Sequence, residues 1–485
     1  MPSRVVIAIL LFVPCLCFQN CVQSKASLLN KKYGPAQLQE DARILEDVVM
    51  EMHPAVGIYK SREYYGDLFT HFESAFKDSL TEREFRLRTK LALDELHCGH
   101  TEVLYSNRFY REMNRKKLNY SPYIFIPVGN KVYMIANLNK KQDSTIKKGS
   151  EILKINGISV DSMLRYTKRF ISSDGFNTSG KEHFVQLGFN SYYPSLFGRP
   201  DTFVVEYKDG RATRTSRYPA IKLKSLPQLP LGSRDDSLYR NYRGAKIKYR
   251  FLDEDKKTVV MKIEKFSHNR ERHAYKRIFK KMRINGTQNL VIDLRSNGGG
   301  SLANSYRLLS YLIDTNMTQT LRTHLKNYPY RKYTNGNLAF KMTRLAYKLI
   351  GVKKTVHDTD NFIYTIKPKR KNHFNGKIFV LINGGSFSAS CLVAAYLRPG
   401  KRTTFIGEET GGTLEGCNAG ITPFYKLPNT GIRVRVPAFR IVHDVDPRAT
   451  GHGIIPDYRT EYSLRDIMAK KDLDLLKVKE LLQIK

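Results

Sequence analysis

Cysteine is scarce in this chain of 485 residues: there are six, and Cys15, Cys17 and Cys21 crowd together near the N-terminus. Cys98, Cys391 and Cys417 remain for the body of the protein, an odd number and too few for a disulfide framework, although one bridge could form among them. No Cys-x-x-Cys pair and no histidine cluster at zinc-finger spacing occurs, so no structural metal and no cofactor is expected. Only one long apolar run exists, which excludes a polytopic membrane protein. There is no Gly-X-Y period, no heptad and no extended low-complexity block, so collagen, coiled coil and wholesale disorder are excluded. Tryptophan is absent, which excludes nothing. Acidic residues are few beside basic ones, 45 against 82, for a net charge of +37.

What is present suits a globular enzyme. Hydrophobic residues make up 41% and charged residues 26%. At about 100–200 residues per domain the chain has room for two to four. The charge invites a nucleic-acid reading, but the basic residues are spread along the chain without a recognisable nucleic-acid-binding pattern. The densest run, KPKRK at 367–371, lies between apolar segments and reads as a solvated turn. No nucleic-acid partner is expected; weak attraction to anionic lipid or polysaccharide is a minor alternative.

Residues 1–24 read as an export signal. Arg4 supplies a positive start, and the apolar stretch 5–18 is short of the roughly 20 residues of a membrane span. Export predicts a periplasmic or cell-envelope location. Cys15, Cys17 or Cys21 could carry a lipid anchor, the only membrane attachment expected, though none follows a small-residue lipobox.

Residues 30–117 read as an N-terminal helical domain, with Leu45, Val48, Val49 and Met52 at helical spacing and a capping box from Thr81 to Glu84. Residues 118–219 change to short strands and turns. Within them, IKKGSEILKINGISVDSML (146–164) gives a turn at Gly149, a strand, an Asn156-Gly157 hairpin turn and a helix start at Val160. Residues 220–257 read as a linker. In 258–467 buried strands alternate with helices, an α/β pattern, and 468–485 reads as a C-terminal helix.

Two segments carry chemistry. In DLRSNGGGSL (293–302) a buried strand runs into three glycines and then a helix, so backbone amides can converge on an anion or a developing oxyanion. In VLINGGSFSASCLVAAYL (380–397) a strand ends in Gly384-Gly385, followed by Ser386, Ser388 and Ser390 at a helix start. A serine at such a turn stands above the sheet as a nucleophile should. The competing reading is that these serines only cap the helix.

The stretch 146–164 resembles PDZ domains, with Ser150 where the family usually has Asp; the resemblance implies binding of an extended peptide as an added strand. The glycine- and serine-bearing segments, with GEETGG (407–412) and GIIPD (453–457), closely resemble the tail-specific, or C-terminal processing, serine peptidases, a family that includes tricorn core proteases and retinoid-binding relatives. With the PDZ-like stretch the resemblance spans about 90–465. It implies a ClpP/crotonase-like α/β catalytic core beside a PDZ-like β-rich domain and an N-terminal helical domain. It implies Ser388 as nucleophile, with an oxyanion hole from the amides of Ala389 and of Gly298 or Gly299, acting on peptide or protein substrates. The bacterial branch pairs its serine with a lysine; that position is Thr413 here, and no lysine occurs between Lys401 and Lys426. The Gly99-His100-Thr101 stretch resembles instead the segment where the tricorn-like branch carries its histidine. It implies His100 as general base; among the other histidines His97, three residues earlier, is the runner-up and His452 the third candidate. That branch has a serine where Gly99 stands, so the group orienting His100 is open among Glu408, Asp444 and Asp446. The alternative function is a non-catalytic peptide- or hydrophobic-ligand-binding protein on the same fold.

Overall fold

The computed structural model describes residues 27–139, 145–227, 238–242, 244–267, 270–323, 352–356, 359–445 and 451–484. The export signal, its three cysteines, Asp446 and part of the expected linker lie outside the described residues. No helix among the described residues is long and apolar enough to cross a membrane.

A seven-stranded sheet organises the C-terminal half. Its spatial order is Arg240–Asn241, Ile247–Phe251, Thr258–Ile263, Asn289–Asp293, Lys377–Ile382, Thr403–Gly407 and Tyr458–Arg459. From Thr258–Ile263 onward all neighbours run parallel. Strand side chains alternate between two faces, and both faces are covered. Met261, Ile292, Val380 and Phe405 pack on one side with the helices Glu271–Ile284, Leu302–Leu309 and Ala389–Leu397. Val260, Val291, Phe379, Leu381 and Ile406 pack on the other against Leu475 and Val478 of the helix Leu473–Leu482. This double burial is why these strands read as unbroken apolar runs. The strands Asn289–Asp293 and Lys377–Ile382 are direct neighbours, with Asp293 in register with Leu381. Their following loops therefore emerge side by side at the carboxyl edge of the sheet, where open α/β folds place ligands.

An antiparallel sheet of five strands stands apart, in the order Ala212–Pro219, Thr202–Asp209, Glu151–Ile155, Lys131–Asn137, Tyr123–Val128, with the short strand Ile158–Ser159 paired to Glu151–Ile155. The Asn156-Gly157 turn has positive φ at both residues, 49° and 80°, as a tight hairpin of this twist requires. The helix Val160–Lys168 starts where the sequence places it, capped by Ser159. The edge strand Tyr123–Val128 is covered: Asn190 of the helix Ser179–Leu196 accepts from the Phe125 amide and donates to its carbonyl, and Gln186 donates to the Pro127 carbonyl.

The N-terminal segment folds as Pro35–Met52, Arg62–Ser74 and Glu82–Asp94, the last with the Thr81–Glu84 capping box. Its apolar faces share one core with Cys417, Ala419, Tyr425, Val434 and Phe439 of the C-terminal half. The strand Glu102–Leu104, just after His100, pairs with Arg433–Arg435. His100 is thereby anchored to the half of the chain that bears Ser388.

Candidate active site

Asn297 clasps the two loops together. It is fully buried. Its side-chain amide donates to the Ile263 carbonyl at 2.7 Å and its side-chain oxygen accepts from the Gly299 amide at 2.9 Å. Its backbone carbonyl accepts from the Phe387 amide at 3.1 Å and from Ser390 Oγ at 2.8 Å. Asn383 performs the converse clasp, its side-chain oxygen accepting from the amides of Ser296 and Gly385.

These bonds sort the three serines. Ser386 Oγ is buried and donates to the Leu294 carbonyl at 2.8 Å; Ser390 Oγ is spent on Asn297. Ser388 lies at the start of the helix Ala389–Leu397, does not cap it and is partly exposed. Its φ of 56° and ψ of −119° fall where non-glycine residues are strained, as at the sharp turn that lifts a nucleophile off a sheet. Gly299, at φ 95°, lies against it: a methyl group there would sit 2.7 Å from Ser388 Cβ and 2.9 Å from the Ala389 nitrogen. Among the described residues the amides of Gly298 and Ala389 have no hydrogen-bond acceptor, whereas that of Gly299 is held by Asn297.

His100 reaches this place from the other end of the chain. Its ring stacks on Phe387, the residue before Ser388, with centroids 4.7 Å apart. A side chain at position 99 would strike the Phe387 ring at 2.6 Å, which accounts for Gly99 where the tricorn-like pattern has serine. Thr101 on the other side is held by buried His53, Nε2 to Oγ1 at 2.6 Å. Beside His100 is Asp174, 2% exposed, from the loop that follows Val160–Lys168. Its Oδ1 accepts from the Gly99 amide at 2.7 Å. Its Oδ2 faces His100 Nδ1 at 3.9 Å, and neither of those two buried atoms has another partner.

The other candidates are placed differently. His97 donates from Nδ1 to the Gly175 carbonyl at 3.0 Å and packs on Tyr59 and Phe176, holding the Asp174 loop in place. His452 is exposed at the loop rim, near Phe176. Burial, with Asp474 adding, pushes the Glu408 carboxyl up, and its neighbours are Gly384, Glu182 and Arg459. Asp444 accepts from Thr318 Oγ1 at 2.6 Å. Thr413 is buried and donates to the Gly416 carbonyl. Asp174 was not legible in advance: an Asp-Gly pair at 174–175 looks like any turn.

Residues 257–460 match the model of peptidase family S41. The chain carries a peptidase family S41 domain. The domain makes the protein a serine-type peptidase, and its matched range includes Ser388, Gly298, Gly299 and Ala389 but not His100. No curated protein matches the chain in sequence. Among solved structures the chain is similar to mature CPAF (16% identity, 92% of this chain and 97% of that one, TM-score 0.61) and to mature CPAF complexed with lactacystin (17%, 92% and 98%, TM-score 0.61). It also matches the photosystem II D1 C-terminal processing protease at 16% identity, over 87% and 93%, with a TM-score of 0.41. At these identities the CPAF matches speak to the fold, which extends beyond the S41 domain over nearly the whole chain. All three cysteines among the described residues are free, buried thiols, so the one bridge that the sequence left open is not formed.

Proposed function

We propose that the protein is an exported, tail-specific serine peptidase working by a Ser-His mechanism. Ser388 Oγ attacks the scissile carbonyl, and His100 takes its proton and returns it to the leaving amine. Asp174 faces Nδ1 and favours the tautomer that leaves Nε2 free to accept. The Ala389 and Gly298 amides receive the oxyanion. The observation that carries the reading is that Ser388 alone of the three clustered serines is uncommitted and strained, beside a phenylalanine on which His100 stacks. The sequence's leader supports export, and the motif resemblance supports the tail-specific class.

A fluorophosphonate probe tests the nucleophile. Wild-type protein is labelled and Ser388→Ala is not; undiminished labelling of that variant refutes the assignment. Lactacystin, the ligand of one structural neighbour, is a second probe. The class is tested with paired peptides bearing free and amidated C-termini, and equal cleavage of both removes the tail-specific reading.

A further inference from the structure

We propose that His100, Asp174 and Cys417 form a binding site for a zinc-class divalent cation, and that its occupancy switches the peptidase off. The second half rests on His100 being the general base. One ligand atom from each residue lies within 4.8 Å of the other two. The three come from segments far apart in sequence, so no spacing rule finds them. Asp174 and Cys417 are 2% and 6% exposed, and the facing atoms of His100 and Asp174 are buried without partners. Two unpartnered polar atoms aimed at each other across 3.9 Å leave a gap that a cation would satisfy.

The donor set selects the ion. One imidazole nitrogen, one carboxylate oxygen and one sulfur suit borderline-soft Zn²⁺ and not the all-oxygen shells of Ca²⁺ or Mg²⁺. With zinc–ligand bonds of about 2.0–2.3 Å, ligand atoms around a tetrahedral ion sit about 3.3–3.7 Å apart. The three atoms must close by about 1 Å, within reach of small side-chain rotations. Arg440 lies near Cys417, but Glu415 pairs with it at 4.0 Å. On binding, the thiol proton leaves to solvent and the sulfur coordinates as thiolate.

The consequence for catalysis follows from the two ring nitrogens. A metal on Nδ1 occupies that lone pair, so the ring's one proton sits on Nε2. Nε2 then has nothing with which to accept the Ser388 proton. In the metal-free enzyme Asp174 favours the opposite tautomer. Thus the same carboxylate serves the active state and the blocked one.

The test is a Co²⁺ titration of tag-free full-length protein, read by the thiolate-to-cobalt absorption band. It is run on the wild type and on Ser388→Ala. Both take up one equivalent with the band, and Zn²⁺ displaces it. Cys417→Ala removes the band, and it and Asp174→Asn each weaken binding beyond the 10–100-fold that losing an outer partner typically costs. In parallel, at free Zn²⁺ about ten times its Kd, wild-type peptide hydrolysis falls to about a tenth. Absence of the band, or a band that persists in Cys417→Ala, overturns the site. A saturated site with unchanged hydrolysis overturns the switch. The spectrum needs no turnover, so an inert peptidase and a missing metal site give distinguishable results.

Discussion

Gly298 and Gly299 are adjacent, yet alanine should be costly at Gly299 and nearly neutral at Gly298. At Gly299 the new methyl would lie 2.7 Å from Ser388 Cβ, 2.8 Å from the Phe387 carbonyl and 2.9 Å from the Ala389 nitrogen. Ordinary carbon–carbon contact needs about 3.5 Å, so something must move by roughly 0.8 Å. Two of the three obstacles are backbone, and the third is the nucleophile's own Cβ. The residue is also held at φ 95°, which an L side chain resists. Overpacking of this kind costs about 1–3 kcal/mol of stability. A displacement near 1 Å at the reacting atom can cost about 100-fold in rate. At Gly298 a methyl meets nothing within 4 Å, and the amide N–H is retained. We expect Gly299→Ala to lose about 10–100-fold in kcat and to melt earlier, whereas Gly298→Ala stays within about threefold because alanine keeps the oxyanion donor. Peptide hydrolysis and thermal melting of both variants decide it. A fully active Gly299→Ala would refute the packing argument and the placement of Ser388 that rests on it.

Two further expectations concern stability. Arg295, 4% exposed at its side chain, is held by Asp293, Asp472 and Asp474 and so ties the C-terminal helix to the glycine loop. Arg295→Met removes the cation that these three carboxylates share and should cost about 3–5 kcal/mol in urea unfolding, partly recovered by adding Asp474→Asn; a loss below about 1 kcal/mol contradicts the clamp. Burial pushes His53 down to about 3 and His443, with Arg440 adding, down to about 4. Both are therefore neutral in the folded state at pH values where the unfolded chain already binds a proton. Stability is at its full level above about pH 6.5 and falls as the pH drops toward 4, by up to about 3 kcal/mol per histidine. Replacing His53 by Gln should flatten that slope, and an unchanged acid profile would show that His53 titrates normally.

The parts of the molecule that were readable in advance are those where local pattern and tertiary role coincide. The parallel strands announce themselves because both faces are buried, and the loops at 294–301 and 383–388 because glycine and serine have few other reasons to gather there. Thr81 and Glu84 act within one turn of helix and could be read from spacing alone. The helix Ser179–Leu196 was missed: Gly188 and Pro194 lie within it and its apolar periodicity is weak. The shared core of the N-terminal helices with Tyr425 and Phe439 was equally hidden, because helical spacing says which face is buried but not against what. Asp174 is the sharpest case. Its significance lies in facing a histidine from another segment, and no one-dimensional signal encodes that.

The loop that delivers Asp174 has a temporal consequence. Asn177 and Ser179 fasten it to the Thr410 carbonyl, and Gly175 is bonded to His97. Hydroxyl, imidazole and carboxylate thus arrive from three different stretches, and the last of their supports forms only when the final strands are in place. If these residues are the catalytic ones, a chain whose later segments are still unfolded lacks the geometry that peptide cleavage would need.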